Sequence, residues 1–130
     1  MKALDTSAVL RFLTKDDEEK AQEVKEILEE EGAYICGEVI MEVVFVLRRQ
    51  YHMRKDEVIE LLEDFLTLDS VELEDGVYLE ALEFWKDVGK ISFPDLVIAL
   101  KAQKRGVELF TFDRDLKKKL KLFLKEDEKQ

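Results

Sequence analysis

A chain of 130 residues with a formal net charge of −10 is long enough for one domain with its own core, and too acidic to coat nucleic acid indiscriminately. Its single cysteine, Cys36, excludes an intrachain disulfide and a Cys-rich zinc site, and it favours a reducing compartment, so we expect a cytoplasmic protein. No stretch approaches the roughly 18 uncharged residues of a spanning helix, which excludes a membrane protein.

Short apolar runs alternate with amphipathic stretches along the chain. We predict strands at 2–5, 33–36, 70–73 and 107–112. We predict helices at 7–13, 16–32, 38–51, 55–68, 76–89, 94–106 and 113–125. The helix at 16–32 is expected to bury four apolar residues and to end at Gly32, the four being Ala21, Val24, Ile27 and Leu28.

Strands separated by helices predict an α/β fold, with a mostly parallel central sheet covered on both faces in a three-layer α/β/α arrangement. We expect one domain over residues 1–124, followed by a charged C-terminal tail at 125–130. In such folds the ligand crevice lies beyond the carboxyl ends of the strands.

Four acidic residues lie at strand ends or in apolar surroundings. Asp5 ends the first predicted strand, Asp95 follows "SFP" at the start of a helix, and Asp113 follows "LFTF". Glu42 is the sole charge between Val39 and Leu47. A parallel sheet would gather three of these carboxylates at one edge, and the helix after the second strand can bring Glu42 to the same crevice. Together they would raise one another's pKa unless a divalent cation neutralised them.

Helix capping is the alternative explanation for three of the four. Asp5 and Asp113 each precede a predicted helix, and "SFPD" fits a capping box with Ser92 as N-cap. Glu42 is mid-helix, so capping does not explain it. Metal binding is the common cause that covers all four.

The residue types indicate which metal such a site would hold. His52 is the only histidine and lies in the basic stretch "RRQYHMRK", where we interpret it as a surface residue. With one histidine and one cysteine, oxygen ligands remain, and these favour Mg²⁺ or Mn²⁺. The chain has no glycine-rich phosphate loop, so nothing supports nucleotide-triphosphate or dinucleotide chemistry.

The segments "LDTSAVLRFLTKDD", "VIMEVVFVLRRQY", "FPDLVIALKAQKRG" and "LFTFDRDL", in this order, resemble the four acidic motifs of the PIN-domain ribonucleases, specifically the VapC-type toxins of toxin–antitoxin pairs. The resemblance spans nearly the whole chain. It implies that the catalytic and metal-binding quartet is Asp5, Glu42, Asp95 and Asp113. Thr6 or Ser7 would then support Asp5, and Thr111 would support Asp113. Asp115 is a further candidate ligand near the site.

The resemblance also implies an activity and partners. The activity is Mg²⁺- or Mn²⁺-dependent endoribonuclease cleavage of structured RNA such as tRNA or ribosomal RNA. The partners are a cognate antitoxin that blocks the site and a second copy in a homodimer. The chain departs from the family where Cys36 and Gly37 stand in place of a hydroxyl residue common before the motif glutamate, and at Leu116, where an aromatic residue is common.

RNA would need a local basic surface on this acidic chain. Candidate contacts lie near the end of the helix of Glu42 and in the last helix: Arg48, Arg49, Lys117, Lys118 and Lys119. A solvated helix face is the alternative interpretation of these residues. The charge is mostly Lys and Glu and there is no asparagine, a bias that thermophile proteins show.

Two other functions compete with the nuclease. A haloacid-dehalogenase-type phosphatase would also begin with Asp after a strand, but its D-x-D pattern needs a carboxylate where this chain has Ser7. A catalytically silent PIN domain that binds RNA or protein is the stronger rival. Four repelling carboxylates argue against it, because a module without metal has little use for them.

Overall fold

The computed structural model describes the backbone of residues 1–129 and the side chains of residues 1–121. The chain divides into two compact units, Met1–Leu79 and the part from Glu80 onward. The first unit contains the β-sheet, and the second is helical where the structure describes it. The sequence-based division into one domain and a tail stays a prediction.

The first unit alternates strands and helices in the predicted order. It comprises β1 (Lys2–Ala3), α1 (Thr6–Thr14), α2 (Glu18–Glu30), β2 (Ala33–Ile35), α3 (Gly37–Arg49), α4 (Lys55–Leu66), β3 (Val71–Leu73) and the start of α5 (Val77–Trp85). The strands pair in the order β1-β2-β3, and both pairings are parallel, which confirms the predicted parallel sheet. This sheet and its connecting helices agree with the α/β/α class.

The central strand β2 fixes the register of the sheet. Ala33 lies opposite Lys2 on one side and opposite Val71 on the other. Ala33 and Ile35 are buried, because both faces of a parallel sheet are covered by helices. α3 follows directly and buries one face of apolar residues, namely Val39, Ile40, Val43, Val44 and Leu47. Among the described side chains no polar or charged residue is buried.

The end of α2 shows how a glycine positions the strand that follows. Gly32 adopts φ +80°, a left-handed conformation that glycine tolerates without strain, and its N–H donates to the carbonyl of Ile27 at 2.9 Å. The predicted helix end is therefore confirmed. Ala21, Val24 and Leu28 are buried as predicted, whereas Ile27 is half-buried, because it lies at the margin of the buried face.

The second unit continues with α5 and adds α6 (Phe93–Arg105) and α7 (Arg114–Lys129). α6 begins at the N-cap Ser92 and ends at Gly106 with φ +76°, as predicted. The prediction that α5 ends at a glycine is wrong, because the helix stops at Trp85 and turns occupy the residues up to Gly89. The Trp85 indole donates from Nε1 to the carbonyl of Ile91 at 2.8 Å, which anchors this turn region.

The predicted fourth strand at 107–112 is wrong. The run has strand-forming residues, but a strand also requires a neighbouring strand that accepts its backbone hydrogen bonds. Here the backbone bonds locally instead. Val107 N–H donates to the Ala102 carbonyl at 3.0 Å, and Asp113 N–H donates to Thr111 Oγ1 at 3.1 Å.

The last helix, α7, continues past residue 124, where the sequence predicted a tail. The side chains of 122–130 lie outside the described residues, so the charged-tail prediction concerns a part that is not described. In the part of the chain that the structure describes, no helix combines the length and apolar character needed to cross a bilayer.

Gly37 provides the first testable prediction. A Cβ added there would collide with the hydroxyl and ring of Tyr78, which is buried and cannot swing into solvent. We expect Gly37→Ala to lower the free energy of unfolding by about 1–3 kcal/mol through overpacking. Urea denaturation measures this change.

Gly76→Ala is the matched control, because Gly76 is exposed and no heavy atom lies within 4 Å of the place that a Cβ would occupy there. We expect that variant to match the wild-type stability within about 0.5 kcal/mol. Equal effects of the two substitutions would contradict the steric explanation.

Candidate active site

Asp5 lies at the carboxyl end of β1 and is the N-cap of α1. Its backbone is extended, with φ −86° and ψ 179°. Oδ1 accepts hydrogen bonds from Ala8 N–H at 2.9 Å and from Ser7 Oγ at 2.7 Å. Asp5 is therefore a helix cap, as the alternative explanation held. Because both hydrogen bonds reach Oδ1, they do not occupy Oδ2.

These hydrogen bonds set the charge state of Asp5. The Ala8 N–H and then the Ser7 hydroxyl stabilise the ionised carboxylate and hold the pKa of Asp5 below its ordinary value. Local hydrogen bonds thus set the pKa of Asp5, and the expectation that four convergent carboxylates raise one another's pKa stays a prediction. Asp5 is consequently ionised at neutral pH and presents an acceptor at the edge of the sheet.

Glu42 lies on α3 and is joined to the region of Asp5 by one side-chain contact. Thr6 Oγ1 donates to Glu42 Oε2 at 2.9 Å. Of the two hydroxyls considered from sequence, Ser7 contacts Asp5 and Thr6 contacts Glu42 instead. Since Thr6 follows Asp5 in the chain, this hydrogen bond brings the Glu42 carboxylate next to the N-terminus of α1.

Glu42 is exposed, although its neighbours in sequence are apolar. The helical period explains the difference: the apolar neighbours cover the buried face of α3, and Glu42 lies on the opposite face with Glu38 and Phe45. The apolar context of Glu42 therefore reflects a buried helix face rather than a buried carboxylate.

The other two members of the quartet lie in the second unit. Asp95 is half-buried in the first turn of α6, and its N–H donates to Ser92 Oγ at 3.3 Å. Asp113 caps α7, because its Oδ1 accepts from Leu116 N–H at 3.0 Å. Thr111 contacts the backbone of Asp113 and not its carboxylate. That all four carboxylates surround one crevice stays a prediction.

The remaining candidates have mostly structural contacts. Asp115 Oδ2 lies 3.6 Å from Lys119 Nζ, an ion pair one helical turn away. Arg48 donates from NH1 to the Met53 carbonyl at 3.0 Å. The Arg49 guanidinium lies 5.8 Å from the centre of the Phe45 ring, within the range of a cation–π contact. Lys117 and Lys118 are exposed. That any of these basic residues contacts RNA stays a prediction.

Sequence reasoning missed a second group at the carboxyl ends of β2 and β3. Ligand atoms of Cys36, Glu38 and Glu74 lie within 4.8 Å of one another. Glu74 Oε2 also accepts from Gly37 N–H at 3.0 Å and so serves the N-terminus of α3, where Cys36 makes no side-chain cap. The position of Glu74 directly after the third predicted strand was the available signal.

The donor set in the first unit fits a hard divalent cation. Asp5 and Glu42 are exposed carboxylates, each held by a hydroxyl, and they supply oxygen ligands of the kind that Mg²⁺ and Mn²⁺ prefer. A hydroxyl that holds one carboxylate oxygen orients the side chain and leaves the other oxygen available. The residues present therefore agree with the metal type predicted from sequence.

The second prediction uses the lowered pKa of Asp5. Its contribution to stability is present above the unfolded pKa of about 3.9 and is lost as pH falls through the lower folded pKa. Asn caps a helix about as well but does not titrate. We expect acidification from pH 5 to pH 2.5 to destabilise the wild type more than Asp5→Asn, measured by urea denaturation.

Subtracting the pH-dependent loss of stability of Asp5→Asn from that of wild type isolates the contribution of Asp5. All other carboxylates are present in both proteins, so their contributions cancel. An Asp5→Ala variant controls for the cap itself, since it should be less stable at every pH. Identical pH dependence in wild type and Asp5→Asn would contradict the hydrogen-bonded, ionised state of Asp5.

Comparison with known proteins shows the family of the chain. The family model for the PIN domain matches residues 2–122. A VapC ribonuclease of Aquifex aeolicus (strain VF5) is 34% identical over 127 residues, and the match covers 91% of this chain and 91% of that protein. The chain belongs to the PIN-domain family and is of the VapC type.

Proposed function

We propose that the chain is a Mg²⁺- or Mn²⁺-dependent endoribonuclease toxin that hydrolyses RNA phosphodiester bonds. The observation that carries this proposal is the pair of exposed carboxylates, Asp5 and Glu42, held by Ser7 and Thr6 at the carboxyl edge of the sheet. Similarity to a VapC ribonuclease over nearly the whole chain supports the same activity.

The chemistry assigned to the protein is simple. A divalent cation at such a site supplies a water of lowered pKa and neutralises negative charge on the phosphate. The Asp5 and Glu42 carboxylates would hold it, together with Asp95 and Asp113 in the proposed quartet. Ser7 and Thr6 fix the orientation of the carboxylates before substrate arrives, so little reorganisation is needed during the reaction.

The proposed substrate is tRNA or ribosomal RNA, cut in a single-stranded loop, because an unpaired backbone can enter a narrow crevice and its bases are accessible. We also propose that a cognate antitoxin inhibits the protein, that it forms a homodimer and that it acts in the cytoplasm. The net charge of −10 suits a basic partner segment.

A silent binding module remains the second candidate, and one observation favours it. Asp5 and Asp113 both cap helices, so these carboxylates have a structural use without metal. Glu42 distinguishes the two functions, because a carboxylate in the middle of a helix cannot cap that helix, and Glu42 is also exposed. Metal binding would explain its presence. The nuclease therefore explains more of the quartet.

The third prediction tests metal and catalysis together. Wild type should cleave RNA with Mg²⁺ or Mn²⁺ and lose activity with EDTA. Asp95→Asn should abolish cleavage and weaken the rise in melting temperature that Mg²⁺ causes, because it removes one charge at constant shape. Its own melting temperature in EDTA should exceed that of wild type, since repulsion falls.

Asp87→Asn is the matched control, an exposed carboxylate in the same unit but outside the quartet. It should keep both cleavage and the full Mg²⁺ response. If Mg²⁺ raises the melting temperature of wild type and Asp95→Asn equally, Asp95 has only a structural role in the first turn of α6. Cleavage undiminished by EDTA would exclude the metal mechanism.

The fourth prediction concerns the hydroxyl that holds Glu42. Thr6→Val keeps the shape but removes the donor to Glu42 Oε2. We expect a loss of about 10–100-fold in Mg²⁺ affinity or in cleavage rate, the usual range for partners of metal ligands. Thr6→Ser retains a hydroxyl and should keep most of the activity.

Calorimetric titration with Mg²⁺ and initial cleavage rates measure the two effects. Thr6 is half-buried, so thermal melts must first show that Thr6→Val is folded. Full activity in Thr6→Val would mean that Glu42 does not depend on this hydrogen bond.

A further inference from the structure

A shallow hollow lies in the first unit at the connection between α3 and α4. It has a volume of about 450 Å³ and is lined by five residues: Arg48, Arg49, His52, Met53 and Arg54. Three arginines and the only histidine of the chain thus border one small space, although the whole chain carries a net charge of −10. All lining residues fall within 48–54, so one short segment forms the walls. We call this feature the arginine hollow.

Hydrogen bonds fix the turn that forms the arginine hollow. His52 adopts φ +53°, a left-handed conformation that is uncommon outside glycine, although histidine adopts it more readily than most residues. The Met53 N–H donates to the Leu47 carbonyl at 3.0 Å, and the Tyr51 hydroxyl donates to Asp16 Oδ2 at 2.9 Å. The walls are therefore ordered before a ligand arrives, which lowers the entropic cost of binding.

Two of the three arginines keep their positive charge available. Arg48 donates from NH1 to the Met53 carbonyl, which uses one of the five N–H donors of a guanidinium. The Arg49 guanidinium lies over the Phe45 ring. In the part of the chain that the structure describes, neither arginine forms an ion pair with a carboxylate. Arg54 differs, because its Nε lies 3.3 and 3.4 Å from two carboxylates in the first turn of α4.

These donors suit a phosphate group better than a carboxylate. Three separate side chains can donate, because an imidazole keeps at least one N–H in either protonation state. A phosphate presents oxygens in a tetrahedral arrangement and can accept from all three, whereas a carboxylate has two oxygens in one plane. Guanidinium groups are also the side chains that bind phosphate most specifically, through paired N–H donors.

We propose that the arginine hollow is a phosphate-binding site in which Arg48, Arg49 and His52 donate hydrogen bonds to the phosphate oxygens. The sequence offered the two arginines only as general RNA contacts and interpreted His52 as a surface residue, and the hollow joins the three in one site. The proposal goes beyond the proposed function, because none of the proposed metal ligands lines the hollow. Two sources carry this chemistry, namely the RNA backbone and free phosphate.

RNA as the source rests on the proposed function. Glu42 and Arg49 are both exposed on α3 and are two helical turns apart, about 10 Å along the helix axis. A strand with one phosphate in the arginine hollow would therefore run along α3 toward Glu42. The hollow would hold the strand by a phosphate that is not the one being cut.

The experiment titrates the isotope-labelled full chain with inorganic phosphate, in EDTA and at constant ionic strength. Backbone amide signals are followed by NMR, which locates the site as well as measuring affinity. We expect saturable shifts for the amides of residues 48–54. Acetate at the same ionic strength should not produce them, because it lacks the additional oxygens.

Arg49→Gln removes one guanidinium and leaves the hydrogen bond of Arg48 to Met53 intact. Affinity for phosphate should fall about tenfold or more, as expected for a lost hydrogen bond between charged partners. The matched control is Arg105→Gln, which removes an exposed arginine of α6 and should bind within about twofold of wild type.

Arg48→Gln/Arg49→Gln should lose the saturable shifts altogether. Its NMR spectrum shows directly whether it is folded. If it is not folded, Arg49→Gln still decides the question.

A short single-stranded RNA, titrated in the same way, identifies the source of the phosphate. If RNA shifts the same amides and displaces inorganic phosphate, the ligand is the RNA backbone. If inorganic phosphate alone shifts them, the ligand is free phosphate. Either result supports the site.

The proposal is overturned if neither probe produces saturable shifts at residues 48–54, or if acetate acts as strongly as phosphate. Affinity of folded Arg49→Gln within about twofold of wild type overturns it as well. RNA cleavage with Mg²⁺ is measured separately. Because the titrations contain EDTA, the nuclease function can fail while the phosphate site stands, and the reverse also holds.

Discussion

Parallel pairing of three short strands is the constraint on which the first unit depends. In a parallel sheet every strand ends at the same edge, so the residues that follow β1, β2 and β3 are brought together whatever their separation in sequence. Backbone bonds extend the ladder past the strands, with Leu4 N–H donating to Tyr34 O and Glu74 N–H donating to Ile35 O, both at 3.1 Å. Asp5, Cys36 and Glu74 consequently line one polar edge, and α3 begins there with Glu42 in its second turn.

Local patterns made much of the fold predictable from sequence. Apolar periodicity placed the helices because burial of one face is a property of neighbouring turns. Glycine at Gly32 and Gly106 and serine at Ser92 placed helix ends because left-handed caps and hydroxyl N-caps act within four residues. The α/β class and the parallel sheet followed from the order of these elements. Gly37 in turn permits the close approach of Tyr78, because a Cβ at this position would collide with the Tyr78 ring and hydroxyl.

Features that depend on distant contacts were not predictable. The hydrogen bond of Thr6 to Glu42 spans 36 residues, and that of Gly37 to Glu74 spans 37, so neither leaves a local signature. The 107–112 run has strand propensity, but pairing depends on the rest of the sheet, and its backbone bonds locally instead. Residue type and family resemblance predicted the quartet, but the sequence could not assign which hydroxyl contacts which carboxylate.

The capping role of Asp5 is separate from its proposed role in metal binding. Helix α1 needs an acceptor at this position, and asparagine, serine or threonine would serve it about as well as aspartate. Nothing in the architecture therefore requires a negative charge there. A substitution by asparagine that removes this charge would leave the cap and the fold in place, so under the proposed function the fold and the metal site make independent demands on position 5.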